Sequence, residues 1–134
     1  MLLLDAGVWI AAKDADEPYC EASRPFVLDT STPVAALDLT FYEVANAVAA
    51  KRQRGGEAVE LCRLIAARCL DNVIAVDAQL IQSAVGIVAE HGLTAYDAAY
   101  VAAARRYGWT LVSTDIADLV SKGLAVAPDA ADYP

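Results

Sequence analysis

Five short, mostly apolar runs constrain this chain more than any other feature: residues 2–4, 33–36, 73–76, 110–112 and 124–126. Their residues are apolar at consecutive positions instead of every second one. That suits strands covered on both faces, as in a parallel sheet. Between the runs lie stretches with helical character at 7–13, 19–28 (disturbed by Pro25), 40–54, 57–70, 78–90, 95–107 and 116–121. The pair Gly55-Gly56, then Gly92 and Gly108, read as helix ends. Short strands alternating with helices predict an α/β class chain, a three-layer sandwich in which a short-stranded parallel sheet is flanked by helices. The 134 residues suit a single domain spanning 1–134.

Composition narrows the class. Hydrophobic residues make up 57% of the chain, which excludes disorder, and the abundance of Ala favours closely packed helices. The N-terminal apolar run is short, contains Asp5 and lacks a basic start. Neither a membrane span nor a signal peptide is predicted, and a cytoplasmic protein is the expectation. Cys20, Cys62 and Cys69 form no CxxC pair. With one His in the chain, they read as buried thiols and not as a zinc site. Cys62 and Cys69, one heptad apart, are placed to face a helix-packed core.

Four acids fall where helices begin: Asp5 directly after the first run, Glu43 three residues after Thr40, Asp97 three residues after Thr94, and Asp115 after the run 110–112. Each has a plain explanation as a helix cap or first-turn acid, worth about 0.3–1 kcal/mol through the helix dipole. Thr40 with Glu43 fits a capping box, and Thr94 with Asp97 resembles one. Helices that follow parallel strands start at the same edge of the sheet, however, and ligands bind beyond the carboxyl ends of such strands. Carboxylates on that edge converge, and they supply the oxygen ligands that Mg²⁺ or Mn²⁺ prefers. Asn46, one turn after Glu43, and the hydroxyls of Ser113 and Thr114 beside Asp115 are candidate supporting groups. Asp118, a turn beyond Asp115, is the weaker acid, expected to face solvent.

The order Leu2-Leu3-Leu4-Asp5, Tyr42-Glu43-Val44-Ala45-Asn46, Leu93-Thr94-Ala95-Tyr96-Asp97 and Leu111-Val112-Ser113-Thr114-Asp115 resembles the PIN-domain nucleases, and among them the VapC-type toxins of toxin–antitoxin modules. The resemblance covers essentially the whole chain. It implies a divalent-metal-dependent endoribonuclease in which metal-activated water attacks the phosphodiester in line. Asp5 and Asp97 would be the leading metal ligands, joined by Glu43 and Asp115, with Mg²⁺ or Mn²⁺ as the ion. It also implies a neutralising antitoxin, an RNA substrate and a homodimer. Two positions depart from the pattern. Gly7 stands where the family often has Ser or Thr, and Ser113 replaces a Thr.

A net charge of −8 runs against an RNA substrate, since nucleic-acid binders are usually basic. Four acids in one pocket would account for half of it, and divalent ions would offset much of that half. Lys51, Arg52 and Arg54 form the densest basic cluster and are the candidate RNA contacts, although cations also favour a helix C-terminus. Trp9 and Trp109 could stack on bases, but core packing suits them better. His91, before Gly92, reads as a helix-end residue and not a general base. A dehalogenase-like phosphatase would need a second Asp two residues after Asp5. A receiver domain would pair clustered acids with a Lys such as Lys122, but the acidic pair is missing. The remaining alternative is a catalytically inactive PIN-like scaffold that binds a protein or RNA.

Overall fold

The computed structural model describes residues 1–132. Its sheet has four strands: β1 (Leu2–Leu4), β2 (Val34–Leu37), β3 (Val73–Ile74) and β4 (Thr110–Val112). Their order is β3-β2-β1-β4, and every pairing is parallel. The helices are α1 (Ala6–Ala12), α2 (Cys20–Leu28), α3 (Asp38–Val44), α4 (Gly55–Cys69), α5 (Ala78–His91) and α6 (Ala95–Tyr107). The helix begun by α3 runs on through Ala45–Lys51 in wider, π-type turns, and a similar wide turn covers Ile116–Val120.

Side-chain alternation along the strands divides the interior in two. Leu2 and Leu4, Val34 and Ala36, and Val112 pack with Trp9 of α1, Phe26 of α2 and Ile65 of α4. Leu3, Ala35, Leu37 and Leu111 pack on the opposite face with Leu80 of α5 and the small residues Ala98, Ala99, Ala102 and Ala103 of α6. This is the expected three-layer arrangement. Burying each Leu or Val contributes roughly 1.5–3 kcal/mol. The Ala face of α6 has no bulk to hold it away from the sheet.

Several boundaries differ from the sequence reading. Gly55-Gly56 does not end the long helix but opens α4. The break comes at Gln53, which takes φ = 55°, while the Arg54 amide returns to the Val48 carbonyl at 2.9 Å. The fifth strand, expected at 124–126, is reduced to a single bridge between Val112 and Val126. The stop signals at Gly92 and Gly108 hold, for both adopt the left-handed conformation (φ 66° and 67°) that glycine tolerates. No helix among the described residues is long and apolar enough to cross a membrane. Cys20 and Cys69 are buried and Cys62 is half-buried, all as free thiols.

Candidate functional site

The parallel order places the carboxyl ends of β1, β2 and β4 side by side, and the acids are built from there. Asp5 leaves β1 with its amide still in the ladder, donating to the Val112 carbonyl at 3.1 Å. Its side chain caps α1, with Oδ1 accepting from the Val8 amide at 3.1 Å. The other oxygen, Oδ2, accepts a short hydrogen bond from Ser113 Oγ. Ser113 is wholly buried, and its Oγ also accepts from the Asp115 amide at 2.9 Å. One hydroxyl thus ties the first acid to the backbone of the fourth. Asp115 repeats the capping move, with Oδ1 accepting from the Asp118 amide at 3.0 Å.

Glu43 departs from the capping-box expectation. Helix α3 starts at Asp38 with Leu37 in the capping position, so Thr40 lies in the first turn. Its hydroxyl oxygen accepts from the Leu37 amide at 3.1 Å and lies 2.8 Å from the Tyr100 hydroxyl. Tyr100 in turn hydrogen-bonds the Glu43 carboxylate. The Glu43 oxygen Oε1 is buried with no hydrogen-bond partner. Tyr100, on the buried face of α6, was not singled out from sequence. A Tyr three residues after Asp97 is the signal that points to it.

Asp97 sits in the first turn of α6, its amide donating to Thr94 Oγ1 at 3.2 Å. It links two groups of acids. Carboxylate oxygens of Asp97, Asp115 and Asp118 all lie within 4.8 Å of one another. Asp118, expected to face solvent, is exposed and yet belongs to this set. Asp115 and Asp118 are one turn apart, and the packing of α6 brings Asp97 to both. On the other side Asp97 acts electrostatically on Glu43 and Asp5.

The electrostatics follow from burial and like charge. Asp5 is only 8% exposed. Burial pushes its carboxyl up to about 7, with Glu43 and Asp97 adding to the rise and the Ser113 and Val8 hydrogen bonds opposing it. Glu43 is raised by burial and then by Asp97, against the Tyr100 hydrogen bond. Asp97 is raised by burial, then by Asp115 and Asp118. Tyr100 is held well above the usual phenol range by burial and by the Glu43 charge. Capping and convergence are therefore one geometry. Helix starts fix Asp5, Asp97 and Asp115 at the sheet edge, and their crowding leaves negative charge short of a counterion. Three adjacent carboxylates, with an orphaned buried oxygen on Glu43 behind them, fit a hard divalent cation in donor chemistry.

The supporting residues divide. Ser113 is hydrogen-bonded into the site, as described. Thr114 Oγ1 fills the space beside Gly7: a Cβ built on Gly7 would lie 2.2 Å from it and 3.3 Å from Asp5 Oδ1. The hydroxyl missing at position 7 is thus replaced in space by one from position 114. Asn46 is exposed and makes no hydrogen bond to an acid among the described residues. It lines a trough beside Glu43 together with Lys51.

The other two candidate RNA contacts are engaged elsewhere. Arg52 pairs with Asp14 at 2.7 Å and Glu17 at 2.8 Å, and Arg54 lies 3.6 Å from Glu57. Trp9 is completely buried, while Trp109 stacks on Tyr107 with ring centroids 4.6 Å apart. His91 closes α5, and its carbonyl accepts from Lys122 Nζ at 2.8 Å.

Comparison with known proteins agrees with this frame. No curated protein matches the chain in sequence. Solved structures match over nearly the whole fold. A toxin–antitoxin complex from Klebsiella pneumoniae aligns at TM-score 0.71 and 19% identity, covering 96% of this chain and 98% of its own. FitAcB from Neisseria gonorrhoeae aligns at 0.71 and 20%, covering 98% and 100%. The sarcin-ricin loop cleaving toxin VapC20 from Mycobacterium tuberculosis aligns at 0.71 and 18%, covering 92% and 95%. At such identities the likeness carries the fold alone. The family model of the PIN domain matches residues 2–118, a span that takes in all five acids, and the chain belongs to the PIN-domain family.

Proposed function

We propose that this PIN-domain protein is a divalent-metal-dependent endoribonuclease, the toxin of a VapC-type toxin–antitoxin pair. The observation that carries the reading is the convergence of Asp97, Asp115 and Asp118 within 4.8 Å, backed by Asp5 and Glu43 in a setting that raises their pKa values. Structural neighbours that are themselves toxin–antitoxin complexes and an RNA-loop-cleaving toxin support the class of activity and the expectation of an antitoxin partner.

In this reading Asp97, Asp115 and Asp118 hold Mg²⁺ or Mn²⁺, with Glu43 and Asp5 on the buried side. When bound, the ion neutralises phosphodiester charge and acidifies water. The chain's own groups do the rest. Ser113 holds Asp5 and Asp115 in register. Tyr100 and Thr40 orient Glu43, whose carboxylate would help position the attacking water. An antitoxin would silence the site by offering Arg to the carboxylates, a pairing suited to the planar guanidinium.

Calorimetric titration with Mg²⁺ and Mn²⁺, alongside cleavage of single-stranded RNA with and without EDTA, tests the proposal. Saturable metal binding and EDTA-sensitive cleavage, both lost in Asp97→Asn, are the expected results. Metal binding without any cleavage would favour the inactive-scaffold reading.

A further inference from the structure

We propose that the trough beside Glu43 is a nucleobase subsite, in which Tyr42 and Tyr96 stack unpaired bases of the RNA strand and Lys51 meets its phosphate. The inference rests on the nuclease reading above and adds which residues grip the substrate. The trough measures about 660 Å³ and is lined by Gly7 and Ile10 of α1, by Tyr42, Glu43, Asn46 and Lys51 along the helix begun by α3, and by Tyr96 of α6.

Tyr42 and Tyr96, the immediate chain neighbours of Glu43 and Asp97, both border the trough that Glu43 lines. Neither is needed by the core: Tyr42 is 73% exposed and Tyr96 60%. The tryptophans that sequence offered as stacking groups are buried or already stacked, which leaves these tyrosines as the aromatic surface bordering the acids.

The backbone explains how the basic end is brought round. In an α-helix, residues five apart point to different sides. The π-type turns of Ala45–Lys51 bond each residue to the one five along, so Asn46 and Lys51 line the trough together. Lys51 has no carboxylate within ion-pair distance among the described residues, whereas Arg52 and Arg54 both do. A free cation, an amide, two open aromatic rings and a catalytic carboxylate along one trough match a single strand: phosphate, base edge, base faces and scissile bond. A duplex keeps its bases stacked on one another and has no faces to offer.

The test uses the full chain and a ten-nucleotide single-stranded RNA carrying the fluorescent base 2-aminopurine, bound in Ca²⁺ to slow cutting. Tyr42→Ala and Tyr96→Ala should each raise Kd roughly 5- to 150-fold, the range expected for losing one stacked base. Both should lose the quenching that stacking produces, while Mg²⁺ affinity stays at the parent's value. Tyr42→Trp and Tyr96→Trp should restore binding and quenching, and Lys51→Ala should flatten the salt dependence.

Unchanged Kd and quenching in both Ala variants of a parent that binds and cuts RNA would overturn the subsite and leave the nuclease reading standing. A parent that neither binds nor cuts single strands would overturn both. Ala variants that bind RNA normally but fail to bind a protein partner would show the trough to be a protein-docking surface instead.

Discussion

Removing the divalent ion should make the protein's stability fall as pH rises from 5 to 8, with Asp5 as the principal cause. In the folded chain burial lifts its carboxyl from 3.8 to about 7, while in the unfolded chain it titrates near its ordinary value. Between those two values the native state holds a proton that the unfolded state has released, so stability declines with pH. The contribution is fully present below the unfolded value and is lost as pH rises through about 7. At roughly 1.4 kcal/mol per pH unit the whole gap comes to about 4 kcal/mol, of which about 3 falls between pH 5 and the folded value. For a domain of this length that is on the order of 10 °C in Tm. Glu43 and Asp97 are shifted the same way and steepen the decline.

The assay is thermal unfolding in EDTA at pH 5, 6, 7 and 8, on the parent and on Asp5→Asn. Asn retains an oxygen to cap α1 but cannot ionise, so its curve should be much flatter and its Tm at pH 8 higher than the parent's. Adding Mg²⁺ at pH 8 should restore stability by binding the native state, and near pH 6.5 that binding should release protons. A parent Tm in EDTA that is flat or rises over this range, or an Asp5→Asn variant with the parent's slope, would refute the argument.

Three further outcomes are expected. Asp118→Ala should weaken Mg²⁺ affinity at least about tenfold in calorimetry, a loss typical of a group supporting a metal; unchanged affinity would remove Asp118 from the centre. Gly7→Ser should lower stability by about 1–3 kcal/mol, because its Cβ meets Thr114 Oγ1 at 2.2 Å on a side chain stiff at χ1. Adding Thr114→Ala should recover most of the loss in denaturant titrations, since Thr114 Cβ itself lies at an ordinary 3.5 Å. Leu70 takes φ = 51° and ψ = −119° while 74% exposed, so Leu70→Gly should raise stability by about 1 kcal/mol; a drop in Tm would show that the turn is not strained.

The layered fold was legible because its signals are local. The consecutive apolar runs, the left-handed glycines at Gly92 and Gly108 and the threonine before Asp97 each act within a few residues. Gly55-Gly56 misled because two glycines can open a helix when the chain has already turned, here at Gln53. The strand expected at 124–126 shrank because residues after Gly123 reach β4 at one bridge only. Among the candidate site residues, the capping acids were visible through their own turns. The inclusion of Asp118, the Tyr100 and Thr40 support of Glu43, and the lodging of Thr114 against Gly7 depend on contacts between distant segments or on π-type turns. Of these, only Tyr100, one turn after Asp97, and Asp118, one turn after Asp115, leave a trace in residue spacing.

The hydrogen bond between Ser113 and Asp5 joins residues 108 apart in sequence, and it has a consequence in time. During synthesis Asp5 emerges 108 residues ahead of Ser113, yet β4 both pairs with β1 and leads into Ser113, Asp115 and Asp118. A chain still on the ribosome with β4 unformed has Asp5, Glu43 and Asp97 but no complete centre. Any chemistry built on these acids therefore waits until β4 has paired with β1 and brought Ser113, Asp115 and Asp118 to the edge where Asp5 already stands.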